Sequence, residues 1–137
     1  MTSAENGKLV LLVEDNEDNR VIYTTILRHF GYRVEEATTG REALEAAMRL
    51  RPDVMILDIA LPELDGWTVA KRLKEDPATR DLPIVVVTAQ AFPDGRERAE
   101  EAGCAGFLVK PVRPRRVFEE VRRLIGDAQV PEPGEGR

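Results

Sequence analysis

The sequence is poor in cysteine and histidine: Cys104 and His29 are the only ones among 137 residues. One cysteine excludes an internal disulfide and suits a reducing compartment. A Cys–His nucleophilic pair would require two residues far apart in sequence. Cys104 therefore reads as a small packed hydrophobe, and His29, near a predicted helix C-terminus, as a complement to the helix dipole. Long apolar runs are also missing. The longest are four or five residues, as in Leu9 to Val13, whereas a membrane span needs about 20. The first eight residues are polar and carry no apolar signal region, so the expected location is the cytoplasm, with no membrane partner. Positive net charge is absent too. At −5 the chain does not read as a nucleic-acid binder, and the local run Arg113, Arg115 and Arg116 reads as a solvated helix face. What is present is ordinary globular material, 42% hydrophobic and 33% charged, in a length that suits one domain with a real core.

Short apolar runs alternate with amphipathic segments. Leu9–Val13 reads as a buried strand, followed by a helix from Glu17 to Phe30 with apolar positions Ile22, Ile26, Leu27 and Phe30. Asn16 is its expected N-cap and Gly31 its stop. A short strand from Arg33 to Ala37 precedes a helix opened by the capping-box spacing Thr39–Glu42 and ended by Pro52. Val54–Leu57 is a third strand closing on Asp58, and Asp65 is placed to cap the next helix. Ile84–Val87 closes on Thr88, a helix follows from about Asp94 to Ala102, and Gly106–Val109 closes on Lys110 and Pro111. The last helix is apolar at Val117, Phe118, Val121, Leu124 and Ile125. Strands alternating with helices predict an α/β fold, with one doubly wound sheet of five parallel strands covered by five helices. The expected organisation is an N-terminal tail over 1–7, one domain over 8–126 and a flexible tail over 127–137.

In an open α/β sheet, ligands bind beyond the carboxyl ends of the strands. Glu14 and Asp15 follow the first strand, Asp58 the third, Thr88 the fourth and Lys110 the fifth. Taken singly each has a plain explanation: Asp15 fits a helix cap as well as a ligand, and Thr88 fits a turn. Together they put three carboxylates, a hydroxyl and an ammonium at one edge. Such carboxylates repel one another unless a cation sits among them, and hard oxygen ligands suit Mg²⁺. Lys110 is also out of keeping with the chain's own usage, which is 16 Arg to four Lys; a point charge differs from a planar fork. A carboxylate nucleophile, a metal, a cation and a hydroxyl suffice for phosphoryl transfer, which needs positioning and charge neutralisation.

The stretches Val13-Glu14-Asp15-Asn16, Leu57-Asp58-Ile59-Ala60-Leu61-Pro62-Glu63-Leu64-Asp65-Gly66, Val87-Thr88-Ala89 and Lys110-Pro111 resemble the CheY-like receiver domain of response regulators, over roughly residues 8 to 126. The resemblance implies a flavodoxin-like sheet of strand order 2-1-3-4-5. It implies Asp58 as phosphoacceptor, with Mg²⁺ (or Mn²⁺) held by Glu14, Asp15, Asp58 and the backbone carbonyl of Ala60. Thr88 and Lys110 would contact the phosphoryl group, Thr88 and Phe107 would form the switch, and the Lys110–Pro111 bond would be cis. Ala60 and Gln90 fall on the positions that tune dephosphorylation. Ala60 has no polar group to orient water, which implies slow to moderate loss of phosphate, depending on Gln90. The implied donor is a histidine kinase or histidine phosphotransfer protein, and the output a contact with a further protein through a face that includes Arg98, Phe107, Arg115 and Glu119. A monomer or a weak phosphorylation-dependent dimer is expected.

Three other classes bear on these residues. A haloacid-dehalogenase-like phosphohydrolase needs an acid two residues after its nucleophile, where this chain has Ala60. A receiver-like interaction module without phosphorylation would have lost part of the acidic set or the lysine, and all are present. A flavin-binding domain would need a phosphate loop after the first strand, where Glu14, Asp15, Glu17 and Asp18 would repel phosphate without a cation. The expected activity is thus that of a phosphoacceptor acting only on itself, rather than an enzyme with a separate substrate.

Overall fold

Successive side chains on a strand point to opposite faces of a sheet, so a strand buried on both sides must be apolar throughout. In the computed structural model, which describes residues 7–89 and 93–128, four of the five strands follow this rule, with polar residues only at the carboxyl ends of two of them, Asp58 and Thr88. The elements are β1 (Leu9–Val13), α1 (Glu17–His29), β2 (Arg33–Ala37), α2 (Gly40–Leu50), β3 (Val54–Asp58), α3 (Gly66–Glu75), β4 (Ile84–Thr88), α4 (Gly95–Glu101), β5 (Gly106–Val109) and α5 (Pro114–Ile125). All neighbouring strands pair in parallel, in the order β2-β1-β3-β4-β5. The sheet order and the helix count are those the sequence led us to expect.

Alternate strand residues feed two cores. Leu11, Val13, Met55, Leu57, Ile84, Val86 and Phe107 pack under α2, α3 and α4 through Ala43, Ala47, Val69, Leu73 and Ala99. Val10, Leu12, Val34, Val54, Ile56, Val85, Val87 and Leu108 pack under α1 and α5 through Tyr23, Leu27, Val117, Phe118 and Val121. The exception is β2. It lies at the sheet edge, buries Val34 and Ala37, and leaves Arg33, Glu35 and Glu36 exposed. Charge on an edge strand discourages pairing with another chain.

Local signals set the helix ends. Asn16 accepts from the Asn19 amide, Thr39 from the Glu42 amide and Asp65 from the Thr68 amide. The Glu42 carboxylate reaches back to the amide of Thr38, one residue earlier than a regular capping box. Pro52 stops α2 through the residue before it, since a residue ahead of proline avoids the right-handed helix; Arg51 is left-handed, with φ 50°. Asp94 stands at the N-cap of α4 and makes no side-chain cap there.

One arginine of the basic run at α5, Arg116, does more than face water. Arg116 and Arg123 both reach Glu120, which is buried, at 3.0 and 2.5 Å. The chain remains packed beyond α5: Ala128 is buried and its carbonyl accepts from the Lys8 amide at 2.8 Å. Lys8 Nζ also donates to the Ile125 carbonyl, and the Tyr32 hydroxyl to that of Gly126.

Candidate phosphoacceptor and metal site

Because the strands are parallel, their carboxyl ends share one edge, and the central order β1-β3-β4-β5 brings four strand ends together. Glu14 follows β1, Asp58 ends β3, Thr88 ends β4 and Lys110 follows β5. Glu14, Asp58 and Thr88 are buried, while Asp15 is exposed at the mouth. Lys110 Nζ donates to Glu14 Oε1 at 2.8 Å and to Asp58 Oδ2 at 3.0 Å. The remaining oxygens of both acids are also engaged: Glu14 Oε2 accepts from the Asn16 amide at 3.1 Å and Asp58 Oδ1 from the Ala60 amide at 3.0 Å. The Lys110 amide in turn donates to the Thr88 carbonyl at 2.8 Å. The Lys110–Pro111 bond is cis.

Two glycines seat the loop that carries the acceptor candidate. A Cβ on Gly66 would lie 2.7 Å from the Asp58 carbonyl oxygen and from the Ile59 Cα. One on Gly40 would lie 2.2 Å from the Leu64 carbonyl oxygen. The loop between β3 and α3 is thus pressed against its own strand at one point and against α2 at another. Only a residue without a side chain allows so close a backbone approach.

The electrostatics are frustrated. Burial raises the Glu14 carboxyl above its usual range; the Asp58 charge adds to this, and the Lys110 hydrogen bond opposes it. For Lys110, burial acts to lower the ammonium, but the hydrogen bonds to Glu14 and Asp58 outweigh it and the net direction is upward. One oxygen from each of Glu14, Asp15 and Asp58 lies within 4.8 Å of the others. Three carboxylates answered by one ammonium leave negative charge in excess, in an all-oxygen set. That is the donor chemistry of a hard dication such as Mg²⁺.

The sequence-predicted residues Glu14, Asp15, Asp58, Ala60, Thr88 and Lys110 therefore converge on one sheet edge. Gln90 lies outside the described residues. Phe107 is buried below the edge, and a Cβ on Gly95 would sit 2.6 Å from its Cζ, so α4 rests directly on the ring. The other residues named for an output face, Arg98, Arg115 and Glu119, lie on α4 and α5; Arg98 covers the Trp67 ring at 4.8 Å, and Arg115 pairs with Glu119 at 3.7 Å. Two residues near the site escape a sequence reading. Tyr23, buried on α1, has its hydroxyl raised first by burial and is close enough to feel Lys110, Glu14 and Asp58. Arg20 donates to the Glu14 carbonyl at 3.1 Å. Both sit on a helix rather than at a strand end, and one arginine among 16 has no signature of its own.

Residues 10–122 match the family model described as the response regulator receiver domain. The chain belongs to that family. The receiver is 38% identical over 121 residues to the polar-differentiation response regulator DivK of Brucella anthropi, an alignment covering 88% of this chain and 98% of the relative. Among solved structures it is similar to the receiver domain of a Pseudomonas aeruginosa sensor histidine kinase with a magnesium ion coordinated in its active-site cleft. That likeness has a TM-score of 0.79 at 35% identity and covers 88% and 99% of the two chains. It is also similar to the chemotaxis protein CheY4 of Vibrio cholerae, with a TM-score of 0.79 at 32% identity, covering 85% and 98%. No helix among the described residues of the receiver is long and apolar enough to cross a membrane.

Proposed function

We propose that this receiver accepts a phosphoryl group on Asp58 in a Mg²⁺-dependent reaction and signals through contacts with other proteins. The observation that carries the reading is the Lys110 ammonium, held 2.8 and 3.0 Å from Glu14 and Asp58 beside the exposed Asp15. A carboxylate oxygen of Asp58 attacks the phosphorus of a phosphohistidine on a kinase or phosphotransfer protein. The P–O bond forms as the P–N bond breaks, and the leaving imidazole takes up a proton. Lys110 moves its hydrogen bonds from the carboxylates toward the incoming phosphoryl oxygens, where a positioned cation is most useful. Thr88, at the end of β4, offers its hydroxyl to another of those oxygens. Glu14, Asp15, Asp58 and the Ala60 carbonyl would hold the metal. When bound, Mg²⁺ supplies neutralisation of charge on the transferring group.

Ala60 brings no side-chain polar group to orient a water, which supports a slow to moderate loss of phosphate; with no acid at that position, turnover of a separate substrate is not expected. Likeness to a response regulator named for polar differentiation supports a signalling role; our reading places it in the cytoplasm, with Thr88 and Phe107 relaying the state of Asp58 to the α4, β5 and α5 face. Intact mass after incubation with Mg²⁺ and acetyl phosphate tests the reading. A gain of one phosphoryl group is expected, abolished by EDTA and by Asp58→Asn. No gain from acetyl phosphate or from a phosphorylated histidine kinase would leave a receiver-shaped binding module and remove the phosphoacceptor role.

A further inference from the structure

Arg20 stands in α1 with its side chain 18% exposed, behind the turn that carries Glu14 and Asp15. One of its terminal nitrogens donates to the Glu14 carbonyl at 3.1 Å and to the Asp15 carbonyl at 3.5 Å. Its Nε lies 3.6 Å from Glu36 Oε1 on β2. The other oxygen of Glu36 accepts from the hydroxyl of the buried Thr24 at 2.6 Å. A single planar guanidinium therefore ties the peptide carbonyls of both acids to the edge strand, and a buried hydroxyl fixes the carboxylate that orients it. None of these contacts reaches the carboxylates of Glu14 and Asp15 themselves. They act on the backbone from which those carboxylates project.

We propose that Arg20 is a positioning residue for the metal site. Held by Glu36 and Thr24, it sets the backbone of Glu14 and Asp15 so that both carboxylates converge with Asp58. The inference rests on the reading that these acids bind Mg²⁺. It extends that site to an outer layer made of Arg20, Glu36 and Thr24, and it makes β2, otherwise an edge strand, part of the support. Groups that orient metal ligands from behind commonly matter about 10- to 100-fold for affinity.

The alternative role for Arg20 is that of a nearby positive charge, and the two roles predict opposite signs. A cation beside an acidic cluster opposes the binding of a dication, so removing it should tighten Mg²⁺. Removing a positioning residue should weaken Mg²⁺. Arg20→Lys separates them further: it keeps the charge but loses the fork that spans the carbonyls and Glu36. Glu36→Gln loosens Arg20 without touching the turn.

The test is calorimetric titration of Mg²⁺ into the wild type, Arg20→Ala, Arg20→Lys and Glu36→Gln, with melting in EDTA recorded for each. The expected result is a dissociation constant raised about 10-fold in Arg20→Ala, with smaller rises in Arg20→Lys and Glu36→Gln. A lowered melting temperature with an unchanged Mg²⁺ constant would mean Arg20 is merely structural and would overturn the proposal, as would tighter binding in Arg20→Ala. Should Arg20→Ala not fold, the other two variants decide by the same criterion. Wild-type protein that takes up no Mg²⁺ would overturn the site reading and this inference with it, an outcome distinct from normal uptake that is indifferent to Arg20.

Discussion

Glu14 is a carboxylate whose ionised form burial disfavours and whose upward shift survives the hydrogen bond from Lys110. The sign of its effect on stability follows from linkage. Between the ordinary carboxylate value of 4.5 and the higher folded value, the native state binds more protons than the unfolded chain, so metal-free stability falls as pH rises through that window. Lys110 has the same sense but titrates at much higher pH: its ammonium is raised in the fold, so its contribution is present at neutral pH and lost only when pH climbs through the folded lysine value. Glu14→Gln is therefore predicted to raise the melting temperature in EDTA at neutral pH, by roughly 4 °C if about 1 kcal/mol of strain is relieved. It should also remove the further stabilisation that added Mg²⁺ gives the wild type. Calorimetric melts with and without Mg²⁺ check both. A variant that melts below the wild type in EDTA would show that the acids are not in conflict. The individual acids, Thr88 and Lys110 were legible in the sequence because each terminates or follows an apolar strand, and strand ends in this fold class share an edge. Arg20 and Tyr23 were not, because they approach the same edge from a helix, where no local pattern marks them.

Among the elements, the loop from β3 to α3 shows how backbone contact fixes chemistry. Gly66 lies so close to the Asp58 carbonyl and the Ile59 Cα that a methyl group there must displace backbone as well as the Ile59 side chain. Gly66→Ala is predicted to destabilise by about 1–3 kcal/mol, the scale of overpacking. Because the displaced atoms belong to Asp58 itself, it should also slow phosphorylation by acetyl phosphate in the protein that remains folded. Denaturant melts and initial rates of mass gain measure the two effects, and normal values of both would contradict the close seat. The caps at Asn16, Thr39 and Asp65 were readable from residue type because each pairs a small acceptor side chain with a following helix. The edge position of β2 was less so: its mixture of Val34 and Ala37 with Arg33, Glu35 and Glu36 fits a strand, but only the pairing order shows why charged residues on both of its faces can stay wet. Nor does residue type show that Gly95 rests on Phe107, since such a seat depends on where α4 crosses β5.

On the scale of the molecule, the end of the sheet opposite the site is closed by α5 and the segment after it. Glu120 is the anchor. Burial acts to raise its carboxyl, but Arg123 and Arg116 outweigh burial and hold it below the usual range. Here the unfolded chain binds more protons than the native state between the lowered folded value and the ordinary one. This stability is present above the ordinary value and lost as pH falls through the folded one, opposite in sign to the Glu14 effect. Glu120→Gln is predicted to cost about 1–2 kcal/mol at neutral pH, a moderate figure because both arginines are half-exposed and can turn to water. It should also flatten the acid limb of the stability curve, which urea melts from pH 3 to 7 would reveal; an unchanged limb would mean the Glu120 pairs are not formed. A basic run alone does not reveal this clamp, since it needs the register that turns Arg116 and Arg123 toward one buried acid.

The central claim is that Asp58 receives the phosphoryl group, and the most direct test is to mark that residue chemically. Borohydride reduces an acyl phosphate on aspartate to homoserine, which peptide mass spectrometry locates. After treatment with acetyl phosphate and Mg²⁺, the prediction is homoserine at position 58 and at no other aspartate, absent when EDTA is present. Conversion at Asp15 or elsewhere, or a phosphorylated protein that yields no homoserine, would contradict the account.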